Sequence, residues 1–262
     1  MMLRRVAKYL TYIILSRHRA GHGIHSPFVF GLIIHLFRNK TDNHIVSSIE
    51  KIRKRLRSDH RYINVTDLGS GHVKHKNISR KVSDIIKYSA VSKKHGALLS
   101  SLAAEFGNQL IVEFGTSFGI STMYMASSCK NAKILTMEGC PETARIAYQN
   151  FNELGLENIS ILTGPFDDNL QHISDTGLKP GLVFIDGNHS KIPVIRYFNF
   201  ISEISDYNTV VVIDDIYNSK EMEKAWIEIK ESEKVSLTID IFRFGIVFFR
   251  SGVSHCDYVI RY

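Results

Sequence analysis

From Gln109 onward, short apolar runs alternate almost without a break with segments of helical periodicity, and this alternation constrains the fold more than any other feature. Leu110-Ile111-Val112 and residues 133–137, 159–163, 181–185 and 209–213 read as five strands. Several are apolar at nearly every position, the pattern of strands covered on both faces, which is the pattern of a parallel sheet. Residues 120–126, 141–154, 192–204 and 220–230 read as the intervening helices, with Pro141 in a first turn and Gly155 as a stop. Upstream, Ser92 is placed to cap a helix over 93–106 that Gly107 ends. The last two runs, 235–241 and 245–250, have no helix between them and so read as an antiparallel pair closing the sheet. The expectation is an α/β, doubly wound, mostly parallel sheet of seven strands with an antiparallel closing strand.

Charge divides the chain differently. Residues 1–95 hold 20 Lys and Arg against 5 Asp and Glu, while the remainder holds 13 against 21. We therefore expect a basic, mainly helical extension over 1–75 and the α/β domain over 76–262. A basic segment of this kind suits an anionic substrate, a nucleic acid or an acidic membrane surface, and it equally suits a solvated helix face. Residues 1–17 place Leu3, Val6, Leu10, Ile13 and Ile14 at helical spacing among Arg4, Arg5, Lys8 and Arg17, an amphipathic helix fit for weak peripheral membrane contact. The apolar stretch from Tyr9 to Leu15 is far short of the roughly 20 residues that a membrane span needs. Three widely spaced cysteines, Cys129, Cys140 and Cys256, exclude a disulfide scaffold and a cysteine zinc cluster and point to the cytoplasm. Ser16 to Phe28, with three histidines, two arginines and two glycines, reads as a loop lacking the carboxylate or thiolate that would complete a metal shell.

Two glycine motifs compete for a nucleotide-like ligand. Asp67-Leu68-Gly69-Ser70-Gly71 has the tighter pattern, but the segment after Gly71 carries no apolar helical stripe and no acid at the end of a next strand. Glu113-Phe114-Gly115-Thr116-Ser117-Phe118-Gly119 comes after an apolar strand, precedes a helix, and is answered by Glu138 at the end of the next strand. Glycines let backbone approach a ligand, and an acid there can accept from ribose hydroxyls, so the second motif meets the physical requirement.

This order of elements, with Glu113 to Thr122 at its centre, resembles the class I S-adenosylmethionine (SAM)-dependent methyltransferases, and most closely the catechol and caffeoyl-CoA O-methyltransferase families, over about residues 85–250. The resemblance implies that Gly115, Ser117 and Gly119 line the methionine half of SAM, that Ser121 reaches its carboxylate, and that Glu138 holds its ribose. Glu113 opens that turn. Gly164 and Phe166 would flank the adenine, and Asp186 would stand where donor and acceptor meet. It also implies Mg2+ or another divalent cation held by Asp186, Asp214 and Asp215, the last standing where the families carry Asn. The cation's task would be to hold a hydroxyl oxygen and lower its pKa. His189, three residues after Asp186, takes the slot of the catechol-type general base, and histidine titrates in the right range for that work.

The expected function is O-methylation of a small-molecule hydroxyl, on an acceptor that the basic extension suggests is anionic. Asp186 and His189 would be catalytic, and the extension would serve as substrate lid or homodimer contact. Two alternatives use the same fold: a methyltransferase for RNA or protein, and a non-catalytic membrane-peripheral or scaffold protein. Nucleic acid is disfavoured, because the basic half lacks regularly spaced aromatics for stacking on bases. No Gly-x-Ser-x-Gly elbow occurs, so hydrolase chemistry has no anchor.

Overall fold

The computed structural model describes residues 2–16, 24, 26–37, 43–67, 76–251 and 255–262. The chain divides into two compact units, Lys40–Pro180 and the pair of segments Met1–Asn39 and Gly181–Tyr262. The basic first 75 residues are thus shared between the two units. The histidine-rich loop and residues 68–75 of the first glycine motif lie largely outside the described residues.

In the unit spanning Lys40–Pro180 the elements are α1 (Asn43–Arg57), β1 (Tyr62–Asp67), β2 (Lys76–Lys81), α2 (Val82–Ser89), α3 (Lys93–Phe106), β3 (Leu110–Phe114), α4 (Ile120–Ser128), β4 (Lys133–Glu138), α5 (Pro141–Glu153), β5 (Ile159–Thr163) and α6 (Phe166–Ser174). Strands β3, β4 and β5 pair in parallel, with β4 in the middle. Every residue of β3 is buried, as its unbroken apolar run requires. The Ser92 side chain accepts from the His95 N–H at the start of α3, the cap read from the sequence. α3 packs on α4, and Gly96 lets the Tyr124 ring lie against its backbone, where an added Cβ would come within 2.4 Å of the ring. β1 and β2 form a separate antiparallel pair that the sequence did not disclose, because Lys76-Asn77-Ile78-Ser79-Arg80-Lys81 has almost no apolar content. The first described element after Asp67 is therefore a strand and not a helix, in keeping with the choice of the second glycine motif.

The other unit contains α7 (Met2–Leu15), α8 (Pro27–His35), β6 (Leu182–Ile185), α9 (Lys191–Ile204), β7 (Val210–Ile213), α10 (Lys220–Lys230), β8 (Leu237–Asp240), β9 (Gly245–Phe248) and β10 (Cys256–Val259). Its strand order is β6-β7-β9-β8-β10. β6 and β7 are parallel, whereas β9 runs antiparallel to both β7 and β8. β10 joins β8 in parallel as an additional strand, so the two units hold eight such strands where the sequence predicted seven. Cys256-Asp257-Tyr258-Val259 is too short and too polar to be read as a strand in isolation. The α/β, mostly parallel character and the closing antiparallel pair are as expected.

The amphipathic helix α7 is tied down from one end to the other. The Tyr12 hydroxyl donates to the Ile260 carbonyl at 2.6 Å and accepts from the Tyr262 N–H at 3.0 Å. Tyr9 and Tyr12 pack their rings against Phe242, and Arg4 and Lys8 both pair with Glu223 of α10. α8 begins at Pro27 under a Ser26 cap, because proline's fixed φ suits a first turn. No helix among the described residues is long and apolar enough to cross a membrane.

Trp226, the single tryptophan, is core as its helical neighbours suggested: it is buried on α10 against the bare backbone of Gly245. A Cβ at Gly245 would stand 2.6 to 2.8 Å from three atoms of the indole ring, and both partners are buried. Gly245→Ala is expected to cost about 1 to 3 kcal/mol through overpacking, read as a fall in Tm; unchanged Tm would mean that the indole can shift freely.

Candidate functional site

Strand register builds the donor side of the site. Phe114 of β3 stands opposite Met137 of β4, so the turn leaving β3 arises beside Glu138, the next residue along β4. The N–H groups of Gly115 and Thr116 donate to the Met137 carbonyl and pin the turn there. Gly115, Ser117 and Gly119 all have positive φ, at 106, 49 and 80°. At Gly119 a side chain is excluded outright, since a Cβ would meet the Phe151 ring at 2.2 Å. Ser117 bears its conformation as a non-glycine residue, and its N–H donates to Glu138 Oε2 at 2.7 Å. Such a bared backbone turn at a helix N-terminus allows close approach of a ligand.

Glu138 is the pivot. Its other oxygen, Oε1, accepts from the Cys140 N–H at 2.9 Å. Burial raises its pKa, against the pull of those backbone N–H groups. Backbone N–H groups thus fix both oxygens of a carboxylate, a type of group that can accept from the neighbouring hydroxyls of a ribose. The same register logic places β5: Thr163 lies opposite Glu138, and the Gly164 N–H donates to the Glu138 carbonyl at 2.9 Å. Gly164 has a φ of 125°, and Phe166, at the start of α6, packs edge-on against Phe114. Gly115, Ser117, Gly119, Glu138, Gly164 and Phe166 are thus brought together, and the residues present fit a nucleoside-bearing ligand.

Two residues assigned to that ligand do something else. Glu113 is fully buried inside β3, and three hydroxyls donate to it: Ser121 at 2.5 Å, Thr136 at 2.6 Å, and Thr122. The Ser121 hydroxyl is therefore committed to Glu113 and not turned outward to a donor carboxylate, and Glu113 anchors the first turn of α4 to β3 from beneath. A carboxyl in the strand interior needs such partners, since leaving it unpaired in a low dielectric costs several kcal/mol. Thr136, which also hydrogen-bonds Thr116, and Ser89, which hydrogen-bonds Ser117, are supports that sequence reasoning missed. Hydroxyls are too common for spacing alone to single them out.

Register also assembles the acidic cluster. Ile185 of β6 pairs with Ile213 of β7, so Asp186 and Asp214 leave the sheet side by side, the Asp214 N–H donating to the Ile185 carbonyl. Burial, then the negative charge of Asp214, pushes the Asp186 carboxyl well above the usual range. His189 Nε2 lies 3.6 Å from Asp186 Oδ1, with the imidazole about one-third exposed. Ile213 also stands opposite Gly245 of the antiparallel β9, which brings Arg243 beside Asp214. Arg243 donates from Nε and Nη2 to the two Asp214 oxygens at 2.8 and 2.7 Å. Burial acts to raise the Asp214 pKa, but the hydrogen bonds and charge of Arg243 outweigh it and hold the carboxylate below its ordinary value. Asp215 has a φ of 53°, and its Oδ1 faces Arg5 Nη2 at 3.5 Å.

Asp186, Asp214 and Asp215 therefore do come together, as expected, yet not as a cation shell. Both oxygens of Asp214 are occupied by one guanidinium, and no group of three His, Cys, Asp or Glu among the described residues is arranged to hold a metal. The residues present do not fit Mg2+. Sequence reasoning overlooked Arg243; the one available signal was a lone arginine in the turn between the two closing strands.

Taken together, strands that release glycines and acids at their carboxyl ends define a Rossmann-like class of α/β fold. Residues 112–216 match the family model described as a methyltransferase domain. A catechol O-methyltransferase of Niastella koreensis is 33% identical over 130 residues, covering 48% of this chain and 58% of that protein. One of Mycobacterium tuberculosis is 28% identical, covering 48% and 57%. The chain thus spans between half and three fifths of the length of these curated relatives. The crystal structure of an O-methyltransferase of Bacillus cereus in complex with SAH has the same fold, with a TM-score of 0.56 over 84% of this chain and 96% of that one, at 19% identity.

The state of Glu113 yields a pH dependence. Burial lifts its pKa to about 7, against the lowering effect of the three hydroxyls. Between the ordinary carboxylate range and about pH 7 the folded chain keeps a proton that the unfolded chain has released, so stability falls as pH rises through that window. Glu113→Gln removes this loss, and its stability relative to the parent should improve by on the order of 3 kcal/mol between pH 5 and pH 8. Denaturant melts across that range check it; a difference that does not change with pH would mean that Glu113 is ionised throughout.

Proposed function

We propose that this chain is a SAM-dependent methyltransferase that methylates the hydroxyl of a small molecule. The observation that carries the reading is Glu138, held by the Ser117 and Cys140 N–H groups beside a turn of three positive-φ residues. The methyltransferase-domain match over residues 112–216 and the O-methyltransferase relatives support it. Gly115, Ser117 and Gly119 would bear on the methionine half of the donor, Glu138 on its ribose, and Gly164 and Phe166 on its adenine. Bound there, the donor supplies an electrophilic methyl carbon.

The chain's own work lies on the acceptor. His189 would accept the proton that the hydroxyl gives up when its oxygen takes the methyl group from the donor's sulfur, whose bond to that carbon breaks, and Asp186, 3.6 Å from Nε2, would help to orient the ring. The free thiols of Cys129, Cys140 and Cys256 agree with a cytoplasmic setting. The ion pairs of Arg4 and Lys8 with Glu223, of Arg5 with Asp215 and of Arg55 with Glu153 neutralise part of the basic segment internally, which favours a small acceptor over a nucleic acid. A second reading has one observation of its own: Leu10, Ile14 and Leu15 of α7 are more than half exposed, Ile14 at 74%, as a helix resting on a membrane surface would be.

Glu138→Ala should abolish SAM binding measured by calorimetry, whereas His189→Ala should bind SAM as the parent does and lower kcat on catechol-like acceptors by about 10²- to 10⁴-fold. Retained SAM affinity in Glu138→Ala would sink the donor assignment. Equal losses of affinity and turnover in His189→Ala would remove that residue from the chemistry.

A further inference from the structure

The carboxylates at the ends of β6 and β7 already have a cation. We propose that the Arg243 guanidinium serves this cluster in place of the divalent ion that the sequence resemblance implies, and that the chain binds no metal there. The catalytic consequence rests on the methyl-transfer reading above; the ion-binding statement does not.

Four observations converge. The Arg243 fork matches Asp214 with two hydrogen bonds of 2.8 and 2.7 Å, so an incoming ion would have to break both to reach either oxygen. Asp214 is 1% exposed, and a carboxylate that deep needs a permanent counter-ion, which an always-protonated guanidinium provides. Asp215 does not turn to the same point: its left-handed backbone directs Oδ1 toward Arg5 on α7. Asp214 and Asp215 are thus already met by Arg243 and Arg5, and a dication added to that set would face like charge at short range.

The position of Arg243 is dictated by the sheet rather than by chance of rotamer. β9 runs antiparallel to β7 with Gly245 opposite Ile213, so the residues just before Gly245 return alongside those just after Ile213, and the Arg243 side chain reaches Asp214 from there. The Ile216 N–H donates to the Arg243 carbonyl and ties this loop to the segment after β7, and Phe242 takes a φ of 70° where the chain turns. The two bonds to Asp214 use two of five N–H donors. The side chain is 24% exposed, so the remaining donors suit the oxygen of a phenolic or carboxylate-bearing acceptor. On this reading Arg243 holds the acceptor oxygen and eases loss of its proton, the task otherwise given to a metal, and methyl transfer is indifferent to chelator.

The test uses Mn2+ as a spectroscopic stand-in for Mg2+, with the full chain. Electron paramagnetic resonance titration of the parent to about 1 mM Mn2+ is expected to show no site that Asp186→Asn or Asp214→Asn removes. A site tighter than about 100 µM that either substitution abolishes would overturn the proposal; Mn2+ bound equally by parent and both variants lies elsewhere and leaves it standing. Arg243→Gln, where circular dichroism shows it folded, should gain at least about tenfold in Mn2+ affinity as Asp214 is released; a folded variant with no gain would overturn the exchange of guanidinium for metal. Should Arg243→Gln not fold, the parent titration decides alone. Failure of SAM to bind the parent would count against the methyltransferase reading and leave the Mn2+ result intact.

Discussion

Parallel pairing in register is the constraint that generates the site. A strand covered on both faces tolerates charge only where it ends, so its first polar residues appear just beyond its last buried one. Register then decides which of these meet: Phe114 opposite Met137 brings the glycine turn to Glu138, and Ile185 opposite Ile213 brings Asp186 to Asp214. Neither encounter requires residues close in sequence. Both require only that neighbouring strands stop at the same level.

The two clusters differ in how each handles buried negative charge. Glu113 is met by hydroxyls, which donate hydrogen bonds but carry no charge, so burial prevails over their lowering effect and its proton affinity rises. Asp214 is met by a guanidinium, and its proton affinity falls. The first solution makes a support that can be neutral near physiological pH. The second makes a permanent ion pair that orders the loop between β8 and β9 and leaves part of its cation open to solvent. A metal shell would need the opposite: carboxylate oxygens kept free and turned to one point.

The readable parts of this chain were those governed by local physics. Short, mostly apolar runs of three to five residues announced β3, β4, β6 and β7; Pro141 and Ser92 announced the starts of α5 and α3; and the paired demands of bare backbone and a subsequent acid selected Gly115 to Gly119 with Glu138 over the tighter-looking motif at Asp67. Strands β1, β2 and β10 were not readable, since their residues become strand only through a partner's hydrogen bonds. Ser121 shows the same limit at one atom: its position in the motif suggested a ligand contact, and only the fold revealed that Glu113 lies closer.

By itself the sequence determined the class of fold and pointed to a turn of bare backbone with an acid at the end of the next strand, because each depends on residue types within one strand and the next. Tertiary structure alone decided what those acids are paired with. Arg243 is 29 residues from Asp214, Arg5 lies at the opposite end of the chain from Asp215, and nothing in local periodicity encodes such separations. Antiparallel closure of β9 on β7 brought the first pair together, and docking of α7 in the same unit the second. Whether a carboxylate binds a metal, a proton or an arginine depends on which charge the fold delivers to it.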